Sequence, residues 1–124
     1  MLGKLVSTAL LVALVLPFAA CKTSQVGVKN TFGTYKTLLS AMPEDVTEAA
    51  AEVAQDLKLA NVQVTSTTVD GQVKAYTADE TKVSISSKLA GDGVTEIKIR
   101  VGAGFGDEML SLDILDRIKA KLNE

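Results

Sequence analysis

Along most of the chain, hydrophobic and polar positions alternate with clear periods, and the period changes mark the elements. Thr31 to Leu39 is rich in β-formers (Phe32, Thr34, Tyr35, Thr37) and predicts a strand, with Gly33 as a bulge. Pro43, followed by Glu44 and Asp45, opens a helix: proline suits the first helical position and acids favour the positive end of its dipole. Val46, Ala50, Val53 and Leu57 then recur at i, i+4, i+7 and i+11, with Ala49 and Ala54 beside them, as one apolar stripe. From Val62 the period falls to two. Val62 and Val64 alternate with Gln63 and Thr65, and Asp70-Gly71 is a hairpin signal. Val73 and Ala75 alternate with Lys74 and Tyr76, and Ala78-Asp79-Glu80 reads as a turn. Val83, Ile85 and Ser87 alternate with Lys82, Ser84, Ser86 and Lys88; Gly91-Asp92-Gly93 turns the chain again. Thr95, Ile97, Ile99 and Val101 alternate with Glu96, Lys98 and Arg100. Asp107 is a good N-cap for a second helix, where Leu110, Ile114, Ile118 and Leu122 repeat every four residues with Leu115 alongside.

The predicted order is β-α-β-β-β-β-α. The expected fold is α+β: an antiparallel sheet of four to five strands, with two helices covering one apolar face in a helix-grip-like arrangement. A single domain over 31–124 accommodates all of it.

The first 30 residues lack this periodicity. Lys4 is the only charge before Lys22, and 16 uncharged, mostly apolar residues run from Leu5 to Ala20. As a helix they would cover roughly 24 Å, short of a hydrocarbon core of about 30 Å, so residues 1–20 read as a secretory signal. Phe18-Ala19-Ala20-Cys21 resembles a lipobox: small residues at −2 and −1, and the one cysteine of the chain at the position that is acylated. On that reading Cys21 is the lipidated N-terminus, residues 21–30 are lipidated Cys and tether, and the anchor is membrane-stable. Nine residues of tether reach at most about 30 Å, which keeps the domain near the membrane. Lys22 after the cysteine, where the sorting rule for inner-membrane retention wants Asp, favours by resemblance the periplasmic face of the outer membrane.

Composition removes much chemistry. With 124 residues, 47% hydrophobic, a formal net charge of −2 and no His, the chain has no His-based triad or His-containing metal site. The charge is too near balance for nucleic-acid binding by bulk electrostatics, and loss of Lys4 with the signal takes it to −3. Gly102-Ala-Gly-Phe-Gly106 invites a phosphate-loop reading. It follows an antiparallel strand, however, and precedes Asp107 and Glu108, which would repel an anion; the glycines read as a tight turn beneath Phe105. Asp107 and Glu108 point about 100° apart on a helix, so cap and dipole partner explain them better than a metal or acid/base pair. Ser84, Ser86, Ser87 and Ser111 have no activating histidine. No catalytic residue, cofactor or metal is expected.

Thr95-Glu-Ile-Lys-Ile-Arg-Val-Gly, Phe105-Gly-Asp-Glu, Ser111 and Ile114-Leu-Asp-Arg-Ile-Lys-Ala-Lys-Leu122 resemble the ending of a domain-of-unknown-function family of small bacterial lipoproteins. The resemblance covers roughly Gly33 to Leu122. It implies a lipobox and about a hundred mature residues, and brings no established activity with it. The element order is also similar to helix-grip-like domains of a lipoprotein subunit in the outer-membrane β-barrel assembly machine, a likeness of architecture only.

The expected function is a non-catalytic, lipid-anchored accessory, structural or binding module of the envelope, with an envelope protein or anionic polymer as partner. The alternative is a small apolar-ligand or lipid binder using space between helices and sheet. Strand alternation places Val73, Ala75, Val83, Ile85, Ile97, Ile99 and Val101 on the core face. Lys74, Tyr76, Lys82, Lys88, Lys98 and Arg100 fall on the other face, with Glu96 its lone acid. The helices carry Glu44, Asp45, Glu48, Glu52, Asp56, Asp107, Glu108, Asp113 and Asp116. A basic sheet face, with Tyr76 as an aromatic anchor, is therefore the candidate partner-binding surface.

Overall fold

The computed structural model describes residues 27–104 and 106–123. The segment read as a signal, the expected lipidation at Cys21 and the expected packing of Phe105 lie outside the described residues. The elements are β1 (Lys29–Thr31), β2 (Thr34–Leu39), α1 (Pro43–Asp56), β3 (Ala60–Ser66), β4 (Asp70–Tyr76), β5 (Lys82–Gly91), β6 (Val94–Val101) and α2 (Glu108–Leu122). The strands form one six-stranded antiparallel sheet in the order β1-β2-β6-β5-β4-β3. β3 to β6 are the expected meander. β1 and β2 close it by pairing β2 to β6, at the far end from β3.

The fold is α+β as expected, with one strand more than the four to five read from the pattern. β1 begins inside the segment read as tether. Gly33 is not a bulge: Phe32 and Gly33 form the two-residue turn between β1 and β2, both left-handed (φ 51° and 87°), and the Gly33 amide donates to Asn30 Oδ1 at 2.9 Å. Asp70-Gly71 is not a turn either. The turn lies just before it, where the Thr67 amide donates to the Asp70 carbonyl at 2.7 Å and Thr67 Oγ1 accepts from the amides of Val69 and Asp70. Gly71 sits inside β4 because α1 presses on it: a Cβ there would stand 2.0 Å from Thr47 Oγ1.

α1 packs on β3, β4, β5 and β6; α2 packs on α1, β2 and β6. All seven side chains assigned to the core face are buried, together with Val46, Val53, Ile114, Leu115 and Ile118 from the helices. Thr47, Ser87, Thr95 and Ser111 are buried too, and each hydroxyl is bonded. Thr47 Oγ1 meets Pro43 O and Ser87 Oγ, both at 2.7 Å; Thr95 Oγ1 donates to Ala41 O at 2.6 Å and Ser111 Oγ to Asp107 O at 2.7 Å. Among the described residues no buried polar side-chain atom lacks a partner.

Pro43 starts α1, as its spacing predicted, and Asp107 caps α2 by accepting from the Leu110 amide at 3.0 Å. Among the described residues no helix is long and apolar enough to cross a membrane.

Candidate docking face

Both helices lie on the core face, so among the described residues no element covers the opposite face of the sheet. Strand register arranges its side chains in rows. One row reads Thr34, Arg100, Ser84, Lys74, Gln63 across β2, β6, β5, β4 and β3. The next reads Lys29, Lys36, Lys98, Ser86, Gln72, Thr65 across all six strands. A third reads Leu38, Glu96, Lys88, Asp70, and Lys82 stands opposite Tyr76. The six residues singled out from the pattern therefore do share one face.

Their roles differ within it. Lys88 stands between Glu96 and Asp70 on neighbouring strands. Glu96 is thus not the lone acid, because β4 begins at Asp70 rather than turning there. Arg100 is engaged by its own chain: Nη1 donates to Phe32 O at 2.6 Å and Thr34 Oγ1 at 3.1 Å, and Nη2 to Gly104 O at 2.5 Å. It ties the β1–β2 turn to the glycine loop after β6. Tyr76 lies at the far corner of the face, beside a surface depression of about 480 Å³ shared with Asn61 and Glu80.

The densest charge comprises two lysines that the periodicity alone did not nominate. Lys36 is the direct cross-strand partner of both Lys29 and Lys98, with strands about 5 Å apart. Like charges directly opposite one another destabilise a sheet. Among the described residues the ion pairs are Asp113 with Arg117, and Lys121 with Glu52 and Asp56; none involves a sheet lysine. Lys36 alternates with the buried Tyr35, so period two could have found it. Lys29 sits in a strand too short to show a period. A shallow depression of about 320 Å³ adjoins the row and is lined by Gln72, Ser86, Lys88 and Lys98 among others.

The helical side has the opposite sign. Glu44, Asp45, Glu48, Glu52, Asp56, Asp107, Glu108, Asp113 and Asp116 are exposed there. Lys121 bridges the two helices at 3.0 Å from Asp56 and 3.6 Å from Glu52, and its hydrogen bond to Asp56 raises its pKa. Burial pushes the Tyr35 phenol up, with the Glu108 carboxylate adding to the shift. Hydrogen bonds from Thr77, then Thr81, hold the Asp79 carboxyl below its ordinary value. These groups are dispersed. Among the described residues no three His, Cys, Asp or Glu side chains converge as metal ligands.

An α+β body with one helix-covered face and one open, basic face is thus the class of molecule defined by the geometry. The chain belongs to the family described as Protein of unknown function (DUF3568), whose model matches residues 4–121. No curated protein matches it.

Proposed function

We propose that the chain is a non-catalytic, lipid-anchored module of the bacterial cell envelope, on the periplasmic face of the outer membrane, and that it works by docking its open sheet face onto an anionic partner. The observation that carries the docking is the row Lys29–Lys36–Lys98. Three like charges side by side, with Glu96 in the next row but ion-paired to none of them, are a cost to folding, and local conflicts of this kind are expected at functional sites. The anchor is supported by Phe18-Ala19-Ala20-Cys21 at the end of the apolar run. Binding of a small apolar ligand has less support. Surface depressions of about 220 to 480 Å³ are lined by none of the core valines and isoleucines.

Two measurements test this. Cys21→Ala should abolish incorporation of labelled palmitate and move the product out of the detergent phase; equal partitioning of parent and variant overturns the anchor. Photo-cross-linking from the sheet face in native membranes, read by mass spectrometry for lipid and protein adducts alike, should lose its adducts in Lys36→Glu with Lys98→Glu, while the thermal unfolding midpoint is retained. Adducts that survive both reversals overturn the docking.

A further inference from the structure

The partner of the lysine row can be narrowed by where the chain enters the sheet. We propose that the open sheet face lies on the anionic phospholipid headgroups of the membrane that carries the chain, with α1 and α2 turned away from it; this rests on the lipid-anchored reading above.

Thr37 Oγ1 donates to the Gly27 carbonyl at 3.1 Å, which fixes the entering chain along β2. Six peptide units separate Cys21 from Gly27 and span at most about 22 Å; eight separate it from Lys29 and span at most about 29 Å. A lipid on Cys21 therefore holds the first lysine of the row within that distance of the headgroups. Lys36 and Lys98 follow on the next two strands. On the same face Leu38 is 60% exposed, two residues from Lys36 and opposite Glu96. Lysines beside an exposed aliphatic side chain, with Glu96 the acid next to it, suit the boundary between headgroups and acyl chains.

Charge selects the orientation. The chain is net negative, so an anionic surface repels it as a whole. Only a polarised contact is attractive, with the lysine face inward. The acidic helices then sit behind the sheet, beyond roughly the 10 Å over which salt screens surface charges. An acidic protein would also fit the lysines, but the reach of residues 21–27 gives it no precedence over a surface already in range.

The chain's one cysteine carries the lipid in this reading, so an introduced cysteine is the single free thiol. Lipidated full-length Ser86→Cys (open face) and Glu48→Cys (α1) are labelled with a fluorophore. Each is reconstituted in vesicles of phosphatidylcholine alone, or of phosphatidylcholine and phosphatidylglycerol at two to one. Acrylamide quenching of the Ser86→Cys label should fall roughly twofold or more in the anionic vesicles. High salt, or Lys36→Glu with Lys98→Glu, should restore it, and the Glu48→Cys label should not change. Equal quenching of the Ser86→Cys label in both vesicles overturns the proposal. So does protection that survives the charge reversals, or that appears only when a membrane protein extract is added. Absence of the chain from both vesicle fractions shows failure of the anchor and overturns both proposals together; retention with equal quenching overturns this one alone.

Discussion

Gly71 owes its place to another residue's side chain. Its backbone lies in a regular strand, yet any Cβ would collide with Thr47, whose hydroxyl is held by Pro43 and Ser87. Gly71→Ala should therefore lower stability by at least about 2 kcal/mol, an overpacking cost that chemical denaturation measures. Combining it with Thr47→Ala should reveal a favourable coupling of roughly 1 kcal/mol or more, because the smaller residue vacates the space. Tyr35 is the second residue with a measurable consequence. Its folded-state pKa is raised above 10.0, so its contribution to stability is complete below the unfolded value and is lost as pH rises through the folded one. Denaturation midpoints should fall more steeply above about pH 10 in the parent than in Tyr35→Phe.

Elements whose partners are adjacent in sequence were legible; those with distant partners were not. The four strands from β3 to β6 announce themselves because short turns join neighbours and each buries every second residue. The helices follow from the stripes at Val46 to Val53 and Ile114 to Ile118. β1 has three residues, too few to display alternation, and its turn at Phe32-Gly33 resembled a bulge for the same reason. An Asp-Gly pair ordinarily marks a hairpin; here the glycine answers to α1, which a local pattern cannot register. The open face was half read: Lys74, Lys82, Lys88 and Lys98 follow from alternation within the meander. The lysine row required knowing that β2 pairs with β6. Arg100 shows the converse, a basic residue on the face whose donors serve the chain itself. Arg100→Met should cost about 1–2 kcal/mol and speed amide exchange first at Thr31 to Gly33, while leaving the lysine row in place.

At the scale of the molecule, the acidic excess lies on the helical side, chiefly on α1, and the basic excess on the sheet, while the net charge stays small. Separation of this kind makes the protein an oriented object in any field, which composition alone cannot convey. The sheet order has a different consequence, which concerns time. β2 and β6 are bonded neighbours, yet Thr34 and Arg100 are 66 positions apart. In N-to-C synthesis, β1 and β2 emerge first and wait for almost the whole domain before their partner exists. Non-local closure of this kind slows folding and leaves early strands exposed to wrong pairings. A chain ending at Gly93 lacks both β6 and α2, and should show no cooperative thermal transition by circular dichroism. The earliest part of the domain to be made is thus the last to be secured, and a factor that holds the nascent chain would act chiefly on residues 29–39.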